Sequence, residues 1–234
     1  LVEQAEQLGT GHAVSCALGQ LREQAKVLIL YGDVPLITPA TLERMLSVIN
    51  DNQIALLTIE IPDPTGYGRI VRDADSQIQA IVEQQDASPE QLEIGEVNTG
   101  VMGLTTNLLA DWLPQINNDN AQGEYYLTDL IAIARRSGYN IASIQPDSTH
   151  EVEGINSRQQ LAALERVYQL QQAEKLMASG TSLADPARFD LRGTLHAGQD
   201  NTIDINCLFE GDVSIGSNVS IGPNCHIINS RIGD

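Results

Sequence analysis

The stretch from Asn201 to Asp234, NTIDINCLFEGDVSIGSNVSIGPNCHIINSRIGD, repeats one pattern: an apolar residue returns at every sixth position. The repeated positions are Ile203, Phe209, Ile215, Ile221 and Ile227. A period of six fits neither an α-helix nor an ordinary hairpin. It fits a solenoid in which each six-residue strand and turn forms one side of a triangular prism. The stretch therefore predicts the start of a left-handed parallel β-helix built from hexapeptide repeats.

Both ends of the sequence look internal to larger elements. A solenoid buries its core only when its coils stack, so we expect this short stretch to belong to a longer β-helix. The first residue is Leu1 rather than Met, and the residues after it carry neither a signal peptide nor a capped helix start. We therefore expect the sequence to begin in the middle of a domain.

The first two-thirds of the sequence alternates strand and helix patterns, which predicts an α/β architecture with a mixed sheet. The apolar run at 27–30 predicts a strand buried on both faces, as in a parallel sheet. The alternating segments around 69–83 predict a hairpin, and residues 123–137 predict a helix that ends at Gly138. The expected organisation is a Rossmann-like domain over 1–156, a linking helix over 157–179, and the β-helix start over 180–234.

Composition narrows the choice of partners. The formal net charge of −18 repels phosphate backbones and anionic membranes, so neither nucleic acid nor a membrane is an expected partner. No apolar run approaches the roughly 18 residues of a membrane span. Cys16, Cys207 and Cys225 show no zinc-site spacing and no disulfide pattern, so they predict free thiols in a cytoplasmic protein.

Two glycine-containing segments are candidates for ligand binding. Asp33 follows an apolar strand and Gly32, at the carboxyl end where open α/β sheets bind ligands. A turn former or a helix cap would look the same, and the sequence leaves both interpretations open. The segment Gly9-Thr10-Gly11 can expose backbone groups to a planar or phosphorylated ligand, although an ordinary loop leading into a helix is the simpler interpretation.

Three polar residues further along are candidates of the same kind. Glu83 ends a strand with a carboxylate that could hold sugar hydroxyls, or that is simply solvated. The Asn98 amide suits hydroxyl recognition, or else forms an Asx-turn. Asn156 stands at a predicted helix start, where an N-cap is the favoured interpretation. A neutral oxygen ligand is the alternative, because one carboxylate, one amide oxygen, phosphate oxygens and water form a typical magnesium shell.

The ordered set of motifs is more specific than any one of them. In chain order they are QAEQLGTGHA, YGDVPLI, DPTGYGRI, IVEQQDA, EVNTGV, NAQGEYYLTD, EVEGINSR and DPARFDLRGTL, followed by the hexapeptides. Over essentially its whole length the sequence resembles the bacterial bifunctional N-acetylglucosamine-1-phosphate uridyltransferase / glucosamine-1-phosphate N-acetyltransferase family. The resemblance implies a Rossmann-like nucleotidyltransferase domain, a long helix and a β-helix that forms a homotrimer.

The resemblance also implies a role for individual residues. Gln4, Gly9 and Thr10 match the loop that reads uridine, and Tyr31, Gly32 and Asp33 match the segment beside the nucleotide. Asp33 and Asn156 match the two magnesium ligands. The positions around the N-acetylglucosamine are Gly68, Glu83, Asn98 and Thr128. No side chain is predicted as an acid or base, because the reaction depends on positioning and charge neutralisation.

The implied reaction joins UTP to N-acetylglucosamine-1-phosphate, with Mg²⁺, to give UDP-N-acetylglucosamine and pyrophosphate. The complete protein would also use acetyl-CoA to acetylate glucosamine-1-phosphate, in a pathway that supplies peptidoglycan and lipopolysaccharide synthesis. Two departures from the family pattern stand out: the Gly-rich loop that holds the triphosphate is absent, and so are the later coils with the acetyltransferase residues. We therefore expect the isolated chain to be inactive.

Two other functions are compatible with the same residues. One is a different sugar-1-phosphate nucleotidyltransferase with a β-helical tail, for example one that makes ADP-glucose. The other is a non-catalytic subunit that binds a nucleotide-sugar. The motifs QLGTGHA and EVNTG argue against the first, and an intact pair of predicted metal ligands argues against the second.

Overall fold

A computed structural model describes residues 1–234, which divide into two compact units, Leu1–Gly154 and Ile155–Asp234. The first unit contains α1 (Thr10–Ala17), β1 (Lys26–Ile29), α2 (Pro39–Val48), β2 (Gln53–Glu60), β3 (Arg69–Arg72), β4 (Ile78–Val82), α3 (Pro89–Leu92), β5 (Glu96–Thr105), α4 (Thr106–Trp112), α5 (Asp129–Arg136) and β6 (Asn140–Ile144). The second contains α6 (Arg158–Ala178), β7 (Thr181–Leu183), β8 (Phe189–Ala197), β9 (Asn201–Ile203), β10 (Cys207–Ile215), β11 (Ser220–Ile221), β12 (His226–Ile228) and β13 (Arg231–Ile232).

A six-stranded mixed sheet organises the first unit, as the strand and helix alternation predicts. Its order is β4-β3-β5-β2-β6, and β1 also pairs with β5. The β2–β6 pair is parallel and the other pairs are antiparallel. Side chains alternate along β2, so Ile54 and Leu56 join one core cluster while Ala55 and Leu57 join another. The sheet therefore has a packed core on each face.

The prediction for the first apolar strand is wrong. β1 pairs only with β5, in antiparallel fashion, and its residues are partly exposed rather than buried on both faces. Leu30, the last residue of the apolar run, lies outside the strand and is 43% exposed. A run of apolar residues does not show how many neighbours a strand has, and here the strand has one.

The helix predicted over 123–137 is shorter than expected and begins at Asp129. The backbone before it is bonded elsewhere: the Tyr125 N–H donates to the Leu8 carbonyl at 2.9 Å, and the Leu127 N–H donates to Thr10 Oγ1 at 3.0 Å. These bonds hold the segment in an extended path against the loop before α1. From Asp129 onward the apolar face is buried as predicted, and Gly138 follows the helix with φ of +81°.

Strands of the second unit pair only in parallel. Phe209 pairs with Leu191 on one side and Ile227 on the other, so residues three six-residue periods apart are neighbours. Four of the five repeated apolar positions are buried and Ile227 is partly buried. Asn206, Asn218 and Asn224 take positive φ between strands, a conformation that asparagine tolerates better than most residues.

The sequence pattern of the linking helix predicts one apolar stripe of Leu161, Leu164, Tyr168 and Leu176, and the buried face of α6 differs from it. Leu164 and Leu176 are buried, but Leu161 is 51% exposed and Tyr168 is 36% exposed. Gln169 takes part in the buried face, where it donates to the Leu191 carbonyl at 3.0 Å and accepts from the Leu191 N–H at 2.7 Å.

None of the helices combines the length and the hydrophobicity that crossing a membrane requires.

Candidate functional site

A cavity of about 510 Å³ lies in the first unit. Four of the predicted site residues line it: Thr10, Tyr31, Glu83 and Thr128. The other lining residues are Gly66, Gln84, Gln85, Gln122, Glu124 and Tyr126. Amides, hydroxyls and two aromatic rings suit a hydroxyl-rich ligand.

Glu83 directly follows β4, and its carboxylate accepts a hydrogen bond from Thr128 and packs against Gly68. Thr128 Oγ1 donates to Glu83 Oε1 at 3.1 Å. A Cβ at position 68 would lie 3.3 Å from Glu83 Oε2 and 2.9 Å from Ile81 Cγ2, so Gly68 leaves the space that the carboxylate occupies. Burial raises the pKa of Glu83, the Thr128 hydroxyl partly opposes this, and the nearby Asp86 and Asp129 carboxylates raise it further.

Asn98 lies between Gly68, which is beside Glu83, and Gly100, which is beside Tyr31. Its N–H donates to the Gly68 carbonyl at 2.8 Å, and its Oδ1 accepts from the Gly100 N–H at 3.1 Å. The second bond is the Asx-turn that the sequence left open as one interpretation. The Asn98 amide nitrogen has no hydrogen-bond partner in the chain and can donate to a ligand.

Gly100 allows Tyr31 to reach the site. Gly100 has φ of +83°, and a Cβ there would lie 2.1 Å from Tyr31 Cε2, so the ring lies directly against the glycine. Burial raises the pKa of Tyr31, and the Glu83 and Asp33 carboxylates raise it further. The phenol therefore stays protonated at neutral pH and can donate a hydrogen bond.

The cavity wall is acidic. Glu83 and Glu124 line it, and no lysine or arginine does. Burial raises the pKa of Tyr126 in the same wall, and the surrounding carboxylates, Asp86 first among them, add to the effect. A phosphate would be repelled here unless a cation accompanied it, whereas neutral sugar hydroxyls would be accepted.

Asp33 is exposed in a turn closed by the Val34 N–H and the Tyr31 carbonyl at 3.3 Å. Its carboxylate has no hydrogen bond and no ion pair within the chain, and Oδ2 lies 3.6 Å from where a Gly154 Cβ would be. An unshared carboxylate beside a small residue fits one ligand of a divalent cation. No group of three or more His, Cys, Asp or Glu side chains could hold a metal, so substrate oxygens and water would complete the shell.

The N-cap interpretation of Asn156 is wrong. Ser157 is the N-cap of α6, and its Oγ accepts from the Gln160 N–H at 3.2 Å. The Asn156 N–H donates to Gln160 Oε1 at 2.8 Å, and the side chain makes no hydrogen bond in the chain. Asn156 belongs to the second unit and Asp33 to the first, so their pairing as metal ligands stays a prediction.

Close backbone packing and hydrogen bonds fix the conformation of the loop before α1. Gly9 has φ of +110°, and a Cβ there would lie 2.7 Å from the Tyr125 carbonyl oxygen. The Gly11 N–H donates to that carbonyl at 2.7 Å. Gln4 Nε2 donates to the Gly9 carbonyl at 3.2 Å. The three residues predicted to read uridine thus share one hydrogen-bonded loop, of which Thr10 reaches the cavity. Gly32 differs from Gly9, because a Cβ at position 32 would meet no atom within 4 Å.

Sequence reasoning missed Arg69 and Gln84. Arg69 is 2% exposed and has no acidic partner; it donates to the Tyr67 and Leu92 carbonyls and to Gln84 Oε1. The same Gln84 oxygen accepts from the Gly66 N–H at 2.7 Å, which anchors the glycine turn at the cavity rim. An arginine directly after a glycine-rich turn was the available signal, but a strand-end arginine is usually solvated.

Comparisons with known proteins point to one family. A family model described as a MobA-like NTP transferase domain matches residues 1–90. The chain is 59% identical to the bifunctional protein GlmU of Cellvibrio japonicus, over 100% of this chain and 51% of that protein. It is 55% identical to the bifunctional protein GlmU of Acinetobacter baylyi, over 99% of this chain and 51% of that protein. The chain spans about half the length of the curated relatives it matches.

A solved structure shares the fold. The crystal structure of UDP-glucose pyrophosphorylase complexed with UDP-glucose aligns with a TM-score of 0.55 and 18% identity, over 71% of this chain and 64% of that chain. At that identity the likeness concerns the fold alone. It agrees with a Rossmann-like α/β unit built on a mixed sheet.

Proposed function

Since the chain belongs to the GlmU family over the half of those bifunctional proteins that it spans, we propose that its first unit transfers a uridyl group. The donor is UTP, the acceptor is N-acetylglucosamine-1-phosphate, and the products are UDP-N-acetylglucosamine and pyrophosphate. The observation that carries the proposal is the cavity of about 510 Å³. Its polar, acidic lining suits a neutral sugar and disfavours an unaccompanied phosphate.

The sugar would lie against Glu83, with Thr128 and Gly68 holding the carboxylate in place. Glu83 accepts hydrogen bonds from sugar hydroxyls, and the free Asn98 amide nitrogen donates to the substrate. Because Glu83 is partly buried, water solvates its carboxylate only in part, and a ligand hydroxyl can supply a hydrogen bond that water does not. The Tyr31 ring, fixed against Gly100, closes the side of the site.

The phosphate oxygen of the sugar attacks the α-phosphorus of UTP in line, and pyrophosphate leaves with the bonding electron pair. Such a transfer depends on alignment and charge neutralisation, and no side chain has to act as a nucleophile. In this proposal Asp33 and Asn156 would each offer an oxygen to magnesium, which would supply the positive charge that neutralises the phosphates. The support for Asp33 is its exposed carboxylate, which has no protein partner.

Uridine would be read by the loop that contains Gln4, Gly9 and Thr10. The support is the close approach of Gly9 to the Tyr125 backbone, which leaves no room for a side chain, and the hydrogen bond that ties Gln4 to the Gly9 carbonyl. A fixed loop presents donors and acceptors at constant positions, which favours one base over another.

We propose that the second unit is the start of a left-handed parallel β-helix. Its parallel pairing and the buried residues at every sixth position support this interpretation. In the full-length protein the later coils would form a homotrimer and an acetyltransferase that uses acetyl-CoA. The proposed organisation keeps residues 1–156 as the uridyltransferase domain and 157–179 as the linking helix. The unpaired cysteines support a cytoplasmic location.

The experiment is a nucleotide-specificity assay on the full-length protein. Pyrophosphate release is measured with Mg²⁺ and N-acetylglucosamine-1-phosphate, using UTP, CTP or ATP as donor. We expect turnover with UTP, and little with the other two. A preference for ATP would favour an ADP-sugar enzyme, and no turnover with any donor would favour a non-catalytic nucleotide-sugar-binding subunit; either result would overturn the proposal.

A further inference from the structure

A short hydrogen-bond chain runs from the predicted uridine loop into α1. Gln4 Nε2 lies 3.2 Å from the Gly9 carbonyl oxygen and 3.1 Å from His12 Nδ1. On the other side of the imidazole, His12 Nε2 lies 3.7 Å from Cys16 Sγ. Gln4 and His12 are both partly buried. The proposed function gives no role to His12 or to Cys16.

The direction of each bond follows from the Gly9 carbonyl, which can only accept. The Gln4 amide must therefore turn its NH₂ group toward Gly9, and the second amide hydrogen points at His12 Nδ1. Nδ1 then has to accept, which places the imidazole proton on Nε2. The Nε2–H in turn points at the Cys16 sulfur. Because that nitrogen already carries a proton, it cannot remove one from the thiol, so the pair is not a nucleophile and its base.

This arrangement uses both hydrogens of the Gln4 amide and leaves Gln4 Oε1 without a partner in the chain. We propose that His12 is a positioning residue that locks the Gln4 amide with its oxygen turned toward the nucleobase. The inference rests on the proposed function, in which Gln4 reads the base. A fixed acceptor favours uracil, whose N3 carries a hydrogen. It disfavours cytosine, whose N3 is itself an acceptor.

The test compares two substitutions of His12 in the full-length protein. His12→Asn keeps an acceptor, Oδ1, near the position of Nδ1, whereas His12→Leu removes the acceptor but keeps the bulk. The readout is the ratio of kcat/KM with UTP to kcat/KM with CTP. Losing one hydrogen bond that holds Gln4 lowers this ratio by about threefold to tenfold in the Leu variant. The change lies in KM, since His12 touches no reacting group.

The Asn variant retains the wild-type ratio if the acceptor is what matters. A merely structural role would lower activity with both nucleotides in proportion and leave the ratio unchanged, which would overturn the inference. A wild-type protein that uses UTP while its Leu variant keeps full selectivity would overturn the role of His12 alone. A wild-type protein that transfers no nucleotide would overturn the proposed function, and this inference with it.

A second readout does not depend on activity. The ¹⁵N chemical shifts of the imidazole nitrogens distinguish the two neutral tautomers, and the signal that disappears in the His12→Asn spectrum belongs to His12. We expect His12 to carry its proton on Nε2. A proton on Nδ1 would mean that Gln4 does not donate to it, and would contradict the proposed orientation.

Discussion

Removing the Glu151 carboxylate should destabilise the first unit more than any surface substitution. Glu151 is 4% exposed. Its Oε2 accepts from the Thr38 N–H at 3.2 Å, from Thr38 Oγ1 at 2.8 Å and from Thr41 Oγ1 at 2.6 Å. Its Oε1 accepts from the Asp147 N–H at 2.9 Å. The side chain thereby ties the start of α2 to the segment that ends at Gly154, beside Asp33.

The expected cost follows from the groups left without a partner. Glu151→Ala leaves two backbone N–H groups without an acceptor, while the two threonine hydroxyls, whose oxygens lie 3.1 Å apart, are freed to bond to each other. Thr38 is only partly buried and Asp147 is exposed, so each N–H loses about 1–2 kcal/mol, and the unfolding free energy falls by about 2–4 kcal/mol. Glu151→Gln can place its oxygen at the position of Oε2 and keep three bonds. Its NH₂ then opposes the Asp147 N–H, so the loss is about 1–2 kcal/mol.

The assay is urea denaturation followed by the fluorescence of Trp112, the only tryptophan, which is buried in the first unit. Glu153→Gln is the matched control. Glu153 lies in the same segment, but its pair with His150 is exposed, so we expect a change below about 1 kcal/mol. A Glu151→Ala variant that loses no more than this control would refute the reasoning.

The pH dependence gives a second check. Burial raises the pKa of Glu151, but hydrogen bonds from Thr41, Thr38 and Asp147 outweigh it, and the net effect is a lowered pKa. A carboxylate with a lowered pKa contributes stability above its unfolded pKa of about 4.3, and this is lost as the pH falls through the folded value. The stability difference between wild type and Glu151→Gln should therefore narrow in acid. A constant difference would contradict the assignment.

Three further predictions concern the site itself. Asp33→Ala should lower uridyl transfer by the full-length protein by at least about 100-fold, whereas the exposed Asp51→Ala should not; near-normal turnover of the first variant would contradict a metal-ligand role. Gly100→Ala places a Cβ 2.1 Å from Tyr31 Cε2 and should cost about 2 kcal/mol in urea denaturation, with weaker binding of UDP-N-acetylglucosamine by calorimetry; unchanged values for both would refute the packing argument. Burial and neighbouring carboxylates raise the pKa of Glu83, so its contribution to stability should fall as the pH rises above about 4.3; the stability of wild type relative to Glu83→Gln should therefore fall over that range, the variant should bind the sugar more weakly, and a difference that does not change with pH would contradict the assignment.

The sequence predicted those features that have a strong local signal. The six-residue period marks the positions that are buried in the second unit. Thr38 followed by Pro39 is the sequence pattern of an N-cap with proline at the first helical position, and Thr38 is the observed N-cap of α2. Gly138 marks the end of α5 in the same way. Each of these depends on a few neighbouring residues, so pattern alone is sufficient.

Features that depend on distant partners could not be predicted in the same way. The partial exposure of β1 reflects a single antiparallel neighbour, β5, far along the chain. The late start of α5 reflects backbone bonds to Leu8 and Thr10. The four bonds to Glu151 come from residues on two separate segments. Local sequence carries no record of such contacts.

The candidate site shows the same division. The family resemblance assigned Thr10 to the uridine loop, Tyr31 to the nucleotide segment, and Glu83 and Thr128 to the sugar, and all four line one cavity. Sequence alone did not reveal that Gly100 makes room for Tyr31, because a positive φ and a ring from another segment have to coincide.

The most direct test of the account is a structure of the full-length protein with UDP-N-acetylglucosamine and Mg²⁺ bound. We expect the N-acetylglucosamine in the cavity, hydrogen-bonded to Glu83, with uracil beside Gln4 and a metal ion on Asp33. A sugar bound outside that cavity, with Glu83 left solvated, would contradict it.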